Sequence, residues 1–181
     1  MNSGIKSKKE TSVRFCGLGG MGVILTSIIF GKAAILDNKN AIQTQSYGPE
    51  QRGTRVKGDI IISEEELVSY PTNGKVDILV AFSQDAYNYY LPALKKKGII
   101  FLNSDFVNIE ETRFKIYKIP ATSIGKELKN EKIINIVMLG GLIKITRLVS
   151  TESIIKALKE TVYSRFIELN ISAFNRGYDY L

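Results

Sequence analysis

Phe15-Cys16-Gly17-Leu18-Gly19-Gly20-Met21-Gly22 decides how this chain is read. The short apolar stretch Val13-Arg14-Phe15-Cys16 leads into four glycines within six positions, and Val23-Ile24-Leu25-Thr26-Ser27-Ile28-Ile29-Phe30 then reads as a buried helix. Strand, glycine turn and helix are the opening of a βαβ unit. Gly17, Gly19 and Gly22 fit G-x-G-x-x-G, a spacing that permits a tight turn and brings an anion against bare backbone N–H groups at a helix N-terminus. A tight turn that only packs helix on strand needs fewer glycines, so this end of the sheet is expected to meet a ligand.

Alternating elements follow. Strands are expected at Ser12 to Cys16, Ala41 to Gln45, Thr54 to Ser63, Val76 to Phe82, Gly98 to Asn103 and Phe114 to Ile119. Helices are expected at Gly20 to Leu36, from an N-cap at Ser83 to about Leu94 with Pro92 disturbing the end, at Ala121 to Lys129, at Ile133 to Val149, and from Ser150 or Thr151 to about Glu168. Glu64-Glu65-Glu66 and Tyr70-Pro71 mark a solvated connection. Strands alternating with helices point to α/β, a single three-layer α/β/α Rossmann-like domain with a mostly parallel sheet. It is expected over residues 12–181, behind a flexible basic tail of residues 1–11.

Composition excludes several chemistries. The 181 residues are 44% hydrophobic, enough for one domain with a full core. There is one cysteine, Cys16, and no histidine. One cysteine gives no internal disulfide, redox pair or iron–sulfur motif, and without histidine there is no His base and the commonest zinc ligand is missing. Cys16 reads as a small buried apolar residue at a strand end. The net charge of +7 comes from scattered lysines such as Lys6, Lys8, Lys9 and Lys95-Lys96-Lys97. No basic stripe interleaved with aromatics argues for nucleic acid. The polar first residues lack a signal-peptide core, and Ile133 to Val149 is interrupted by Asn135, Gly140-Gly141, Lys144 and Arg147, so no membrane span and a cytoplasmic protein are expected.

The second motif is Ser46-Tyr47-Gly48-Pro49-Glu50-Gln51-Arg52-Gly53, read as a loop after strand two. Strands one and two run parallel if the first helix connects them, so this loop and the glycine turn should face each other at the C-terminal edge, where open α/β sheets bind ligands. Arg52 suits a bidentate clamp on carboxylate or phosphate; an Arg52–Glu50 ion pair bracing the turn stands level with that on the residues alone. A dinucleotide site also requires an acid ending strand two, and Ala41-Ile42-Gln43-Thr44-Gln45-Ser46 has none. Asp37 has nearly the right offset from Gly17 but falls in the preceding turn. Tyr87, Tyr89 and Tyr90 cluster on one short helix, and Asn135, Met138 and Gly140-Gly141 lie in an apolar one. Both groups read first as core packing.

Together these residues resemble the gamma subunit, or gamma domain, of 2-oxoacid:ferredoxin oxidoreductases. The matching pieces are Gly17 to Val23, Gln45 to Gly53, Ile61-Ile62-Ser63, Tyr70-Pro71 and Asn135 to Gly140, in the family's order. Thr54 and Met21 depart from it, where glycine and glutamine are frequent. Ser46-Tyr47-Gly48-Pro49-Glu50 resembles the 2-oxoglutarate-using branch, with the pyruvate branch the alternative. The resemblance implies a subunit without chemistry of its own. Alpha, beta and delta-type partner chains would hold thiamine diphosphate, magnesium and iron–sulfur clusters, reduce ferredoxin and pass the acyl group to coenzyme A. The gamma chain would support assembly and contact coenzyme A through Gly17, Gly19, Gly20, Gly22, Ser46, Tyr47, Gly48, Glu50, Arg52 and Gly53; a homodimer of the isolated chain stays open, since the residues do not decide its oligomeric state. The competing readings are an independent Rossmann-like nucleotide-binding enzyme and an assembly module with a vestigial glycine turn.

Overall fold

A computed structural model describes residues 10–47, 53–65, 74–109 and 112–181. In chain order the elements are β1 (Glu10–Leu18), α1 (Val23–Leu36), β2 (Asn40–Tyr47), β3 (Arg55–Ser63), β4 (Val76–Ala81), α2 (Gln84–Tyr90), β5 (Leu94–Asn103), β6 (Lys115–Ile119), α3 (Ala121–Glu127), α4 (Ile134–Thr146), α5 (Thr151–Thr161) and α6 (Ile167–Tyr180). Among the described residues these form one six-stranded sheet in the order β2-β3-β1-β4-β5-β6. β1, β4, β5 and β6 run parallel. β3 is antiparallel to both β1 and β2, so β2 points the same way as β1.

The two sheet faces are covered unequally. The alternation of a strand sends Val13 and Phe15 to one face and Arg14 and Cys16 to the other. On the first face lie α1 and the C-terminal helices, enclosing the larger core of Phe15, Phe30, Ile60, Phe101, Met138 and Phe174 among others. On the second, Cys16, Leu79, Ala81, Ala86, Tyr87 and Leu102 make a smaller core with α2. α4 is the central helix. Every residue from Ile134 to Ile143 is buried, as expected of a helix apolar all round. It crosses α6 at backbone contact, because a Cβ on Gly177 would fall 1.9 Å from the Val137 carbonyl oxygen and one on Gly140 2.1 Å from that of Phe174.

Several boundaries move from the sequence-based expectation. β1 begins at Glu10, not Ser12, because Glu10 and Thr11 pair with Ser63 and Ile62. α1 starts at Val23, since Gly20 and Gly22 hold φ of 96° and 73°, outside the helical region. Ser46 and Tyr47 belong to β2, paired with Lys57 and Val56, and are not loop residues. β5 reaches back to Leu94, taking in the three lysines. α2 ends at Tyr90, where Pro92 forces a short 3₁₀ turn. The single helix expected from residue 151 to about 168 is two. Val162 turns to extended backbone (φ −96°, ψ 153°) and packs on the larger core, with no glycine or proline to announce the break. The Glu66 and Tyr70-Pro71 connection and residues 1–9 lie outside the described residues.

A buried ion pair fixes the inserted strand. Arg14 on β1 faces Asp59 on β3 in register, and its Nε and Nη2 donate to the two Asp59 oxygens at 2.6 and 2.7 Å. Lys57 adds a bond to Asp59 at 3.0 Å. Removing one member of a buried pair leaves a charge without compensation. Asp59→Ala should therefore destabilise the chain by about 3–5 kcal/mol, and Arg14→Met with Asp59→Leu should recover most of that loss, measured by urea denaturation. Equal losses in single and double variants would show that the loss does not come from the unpaired charge.

Candidate functional site

The glycine turn is shaped to leave backbone donors free. Met21 N–H returns to the Leu18 carbonyl at 3.1 Å, closing the turn. Gly17 allows the helix to lie close on the strand, since a Cβ there would sit 3.1 Å from both Phe82 Cβ and Val23 Cγ2. Gly22 is the N-cap residue. No side chain caps the helix and its first turn has no acidic residue. The first intrahelical bond is Thr26 N–H to the Gly22 carbonyl at 3.0 Å, so the N–H groups of Val23, Ile24 and Leu25 precede it. Above Gly20 there is open space. Uncapped N–H groups at the positive end of a fourteen-residue helix favour an anion.

The second motif converges on the same edge. Leu18 at the end of β1 faces Arg55 at the start of β3, and Gly19 N–H donates to the Thr54 carbonyl at 2.9 Å. Gly53, with φ of 79°, and Thr54 form the bend into β3. Ser46 is exposed near the end of the β2–β3 ladder, just before the loop. Gly48, Glu50 and Arg52 lie outside the described residues, so the structure brings together Gly17, Gly19, Gly20, Gly22, the backbone of Tyr47, Ser46 and Gly53, and leaves those three to expectation.

A basic and aromatic wall flanks this edge on the thinly covered face. The Arg55 guanidinium lies over the Tyr89 ring at 4.2 Å and 3.4 Å from Asp85. Arg14 lies 5.2 Å from the Tyr90 ring centre, and Tyr87 is buried. The tyrosine cluster is thus core at Tyr87 and a support for two arginines at Tyr89 and Tyr90. Sequence reading missed Arg55: its partner Asp85 is thirty residues away, and only the alternation of β3 would have placed it beside Lys57.

Two other residues resolve. Asp37 accepts from Ser150 N–H at 2.5 Å, Ser150 Oγ at 2.7 Å and Ser153 Oγ at 2.5 Å. Partial burial opposes its ionisation, but these bonds outweigh it and hold the carboxyl below its ordinary range. It joins the end of α1 to the start of α5, about 20 Å along the helix from the glycine turn, so it holds no ribose there. Asn135, buried on α4, donates through Nδ2 to the Gly22 carbonyl at 3.3 Å and to Thr26 Oγ1 at 3.1 Å. Among the described residues no three His, Cys, Asp or Glu side chains group to hold a metal, and no helix is long and apolar enough to cross a membrane.

Comparison with known proteins gives one answer. The profile of the pyruvate ferredoxin/flavodoxin oxidoreductase family matches residues 12–180. The chain is 43% identical over 180 residues to a protein of Methanocaldococcus jannaschii named 2-oxoglutarate synthase subunit KorC, covering 97% of this chain and 95% of that one. It superposes on the keto/oxoacid ferredoxin oxidoreductase gamma subunit of Geobacter sulfurreducens with a TM-score of 0.82 and 35% identity, over 93% of this chain and 96% of that one. It also has the fold of part of a 2-oxoglutarate:ferredoxin oxidoreductase of Magnetococcus marinus solved with 2-oxoglutarate, coenzyme A and succinyl-CoA bound. There the TM-score is 0.85 at 21% identity, over 97% of this chain but 32% of that one.

Cys16 is fully buried against the smaller core, and burial, more than the opposing pull of Arg14, pushes its thiol far above the ordinary range. A thiol reagent at pH 8 should leave the folded chain unlabelled and modify it only on unfolding. Rapid labelling of one equivalent in the native state would contradict the inert role.

Proposed function

The chain belongs to the pyruvate ferredoxin/flavodoxin oxidoreductase family, and from that premise we propose that it is the gamma subunit of a 2-oxoglutarate:ferredoxin oxidoreductase. Such a complex decarboxylates the 2-oxoacid oxidatively, transfers the acyl group to coenzyme A and passes the electrons to ferredoxin. The 2-oxoglutarate branch is favoured over the pyruvate branch by the 43% identity to a 2-oxoglutarate synthase subunit. In this reading one domain of residues 12–181 works in the cytoplasm with alpha, beta and delta-type chains. Those partners hold thiamine diphosphate, magnesium and the iron–sulfur clusters. A chain with no histidine and a single buried cysteine has no donor set for the clusters, so electron flow bypasses it.

Its own contribution lies at the edge where the two motifs meet. The observation that carries this is the Gly19–Thr54 hydrogen bond, which ties the glycine turn ahead of α1 to the bend at Gly53 and Thr54, the residues that follow Arg52 in sequence. Coenzyme A arrives as a substrate carrying phosphates. Backbone N–H groups and a guanidinium fork are what phosphates require, and neither titrates near neutral pH. The residues proposed to contact it are Gly17, Gly19, Gly20, Gly22, Ser46, Tyr47, Gly48, Glu50, Arg52 and Gly53. The independent nucleotide-binding reading has no support from Asp37, which is engaged at the far end of α1.

In the assembled complex Arg52→Ala should weaken acyl transfer to coenzyme A by about 1.5–3 kcal/mol, the worth of a lost hydrogen bond to a charged group. It should appear as a raised KM for coenzyme A with the KM for 2-oxoglutarate unchanged. A variant that assembles and keeps its coenzyme A dependence would make Arg52 structural. Faster turnover of pyruvate than of 2-oxoglutarate by the wild-type complex would overturn the substrate assignment.

A further inference from the structure

Asn135 is an amide within a helix that is otherwise apolar along its buried length. A buried amide is costly unless bonded, and this one spends its donors on one point of the glycine turn. The Gly22 carbonyl accepts from Thr26 N–H at 3.0 Å, Thr26 Oγ1 at 2.9 Å and Asn135 Nδ2 at 3.3 Å. Asn135 Nδ2 also donates to Thr26 Oγ1 at 3.1 Å. The contact is intimate, since a Cβ on Gly22 would lie 2.5 Å from Nδ2. A carbonyl only accepts, so the amide must present its NH₂ there and not its oxygen.

Holding that carbonyl has a consequence on the other side of the same peptide. The Gly22–Val23 unit is planar and trans, so its N–H points opposite to its C=O. With the carbonyl drawn toward α4 and the helix interior, Val23 N–H is aimed out of the helix N-terminus. We propose that Asn135 is a positioning residue for coenzyme A: it locks the Gly22–Val23 peptide so that the first free N–H of α1 faces the bound phosphate. This rests on the coenzyme A reading of the same edge.

Asn135→Leu keeps the bulk and removes the donors, and Thr26→Val removes the hydroxyl of the same triangle while leaving α4 intact. In the assembled complex each should raise the KM for coenzyme A, by about tenfold for Asn135→Leu, the factor for one hydrogen bond. The kcat at saturating coenzyme A and the KM for 2-oxoglutarate should hold. In the isolated chain, amide hydrogen exchange at Gly19, Met21 and Thr26, whose N–H groups close the turn and the first helical bond, should accelerate while the α4–α6 core keeps its protection. Unchanged exchange at the turn, or a core loosened equally, would overturn the positioning role and leave the coenzyme A reading to stand on Arg52→Ala. A loosened turn with unchanged coenzyme A KM in both variants, and in Arg52→Ala, would overturn both together. Should Asn135→Leu fail to fold, Thr26→Val decides by the same two readouts.

Discussion

The candidate site depends on the ion pair between Arg14 and Asp59. It lies between neighbouring strands, buried on both sides, and makes the pairing of β1 with β3 strongly specific to one register. Sliding β3 by one residue would turn Asp59 to the opposite face and leave the buried Arg14 guanidinium without its carboxylate, a penalty that repacking of the neighbouring side chains would not offset. From that register the rest follows along the ladder. Leu18 meets Arg55, Gly19 N–H meets the Thr54 carbonyl, and the bend at Gly53 and Thr54 arrives beside the glycine turn.

The turn is held from a second direction by α4. Asn135 reaches the Gly22 carbonyl from a helix that itself packs against α6 at backbone contact through Gly140 and Gly177. Its position is therefore set by a helix crossing at backbone contact and not by a surface loop. On the sheet side, Ser27 Oγ accepts from Gln43 Nε2 at 3.1 Å, and Gly58 leaves room for that hydroxyl. Thr26 thus binds α1 to α4, and Ser27 binds it to β2 shortly before the loop. The glycine turn and β2 share one support, which suits the proposed role of orienting a substrate.

Much of this was legible in the sequence because local chemistry dictates it. Strand, glycine turn and apolar helix followed from Val13 to Phe30, and the shared edge of the two motifs followed from the connectivity of β1, α1 and β2. What was not legible depends on distant partners. The run Ile60-Ile61-Ile62 reads the same in either direction, so the antiparallel insertion of β3 between β1 and β2 left no mark. Val162-Tyr163 breaks a helix without a glycine or proline because tertiary packing, not propensity, selects the extended backbone there. Arg55 on Tyr89 and Asn135 on Gly22 join residues more than thirty and more than a hundred positions apart. Asn135 therefore read as a polar residue tolerated in a core.

The central claim is that this chain contributes a phosphate-orienting edge to a reaction whose redox chemistry lies in its partners. The most direct measurement is the structure of the assembled complex with coenzyme A bound. The account predicts a coenzyme A phosphate within hydrogen-bond reach, about 2.7–3.2 Å, of backbone N–H groups between Gly19 and Val23, with Arg52 on the same group. A coenzyme A held wholly by partner chains, or at the opposite edge of this sheet near Asp37, would contradict it.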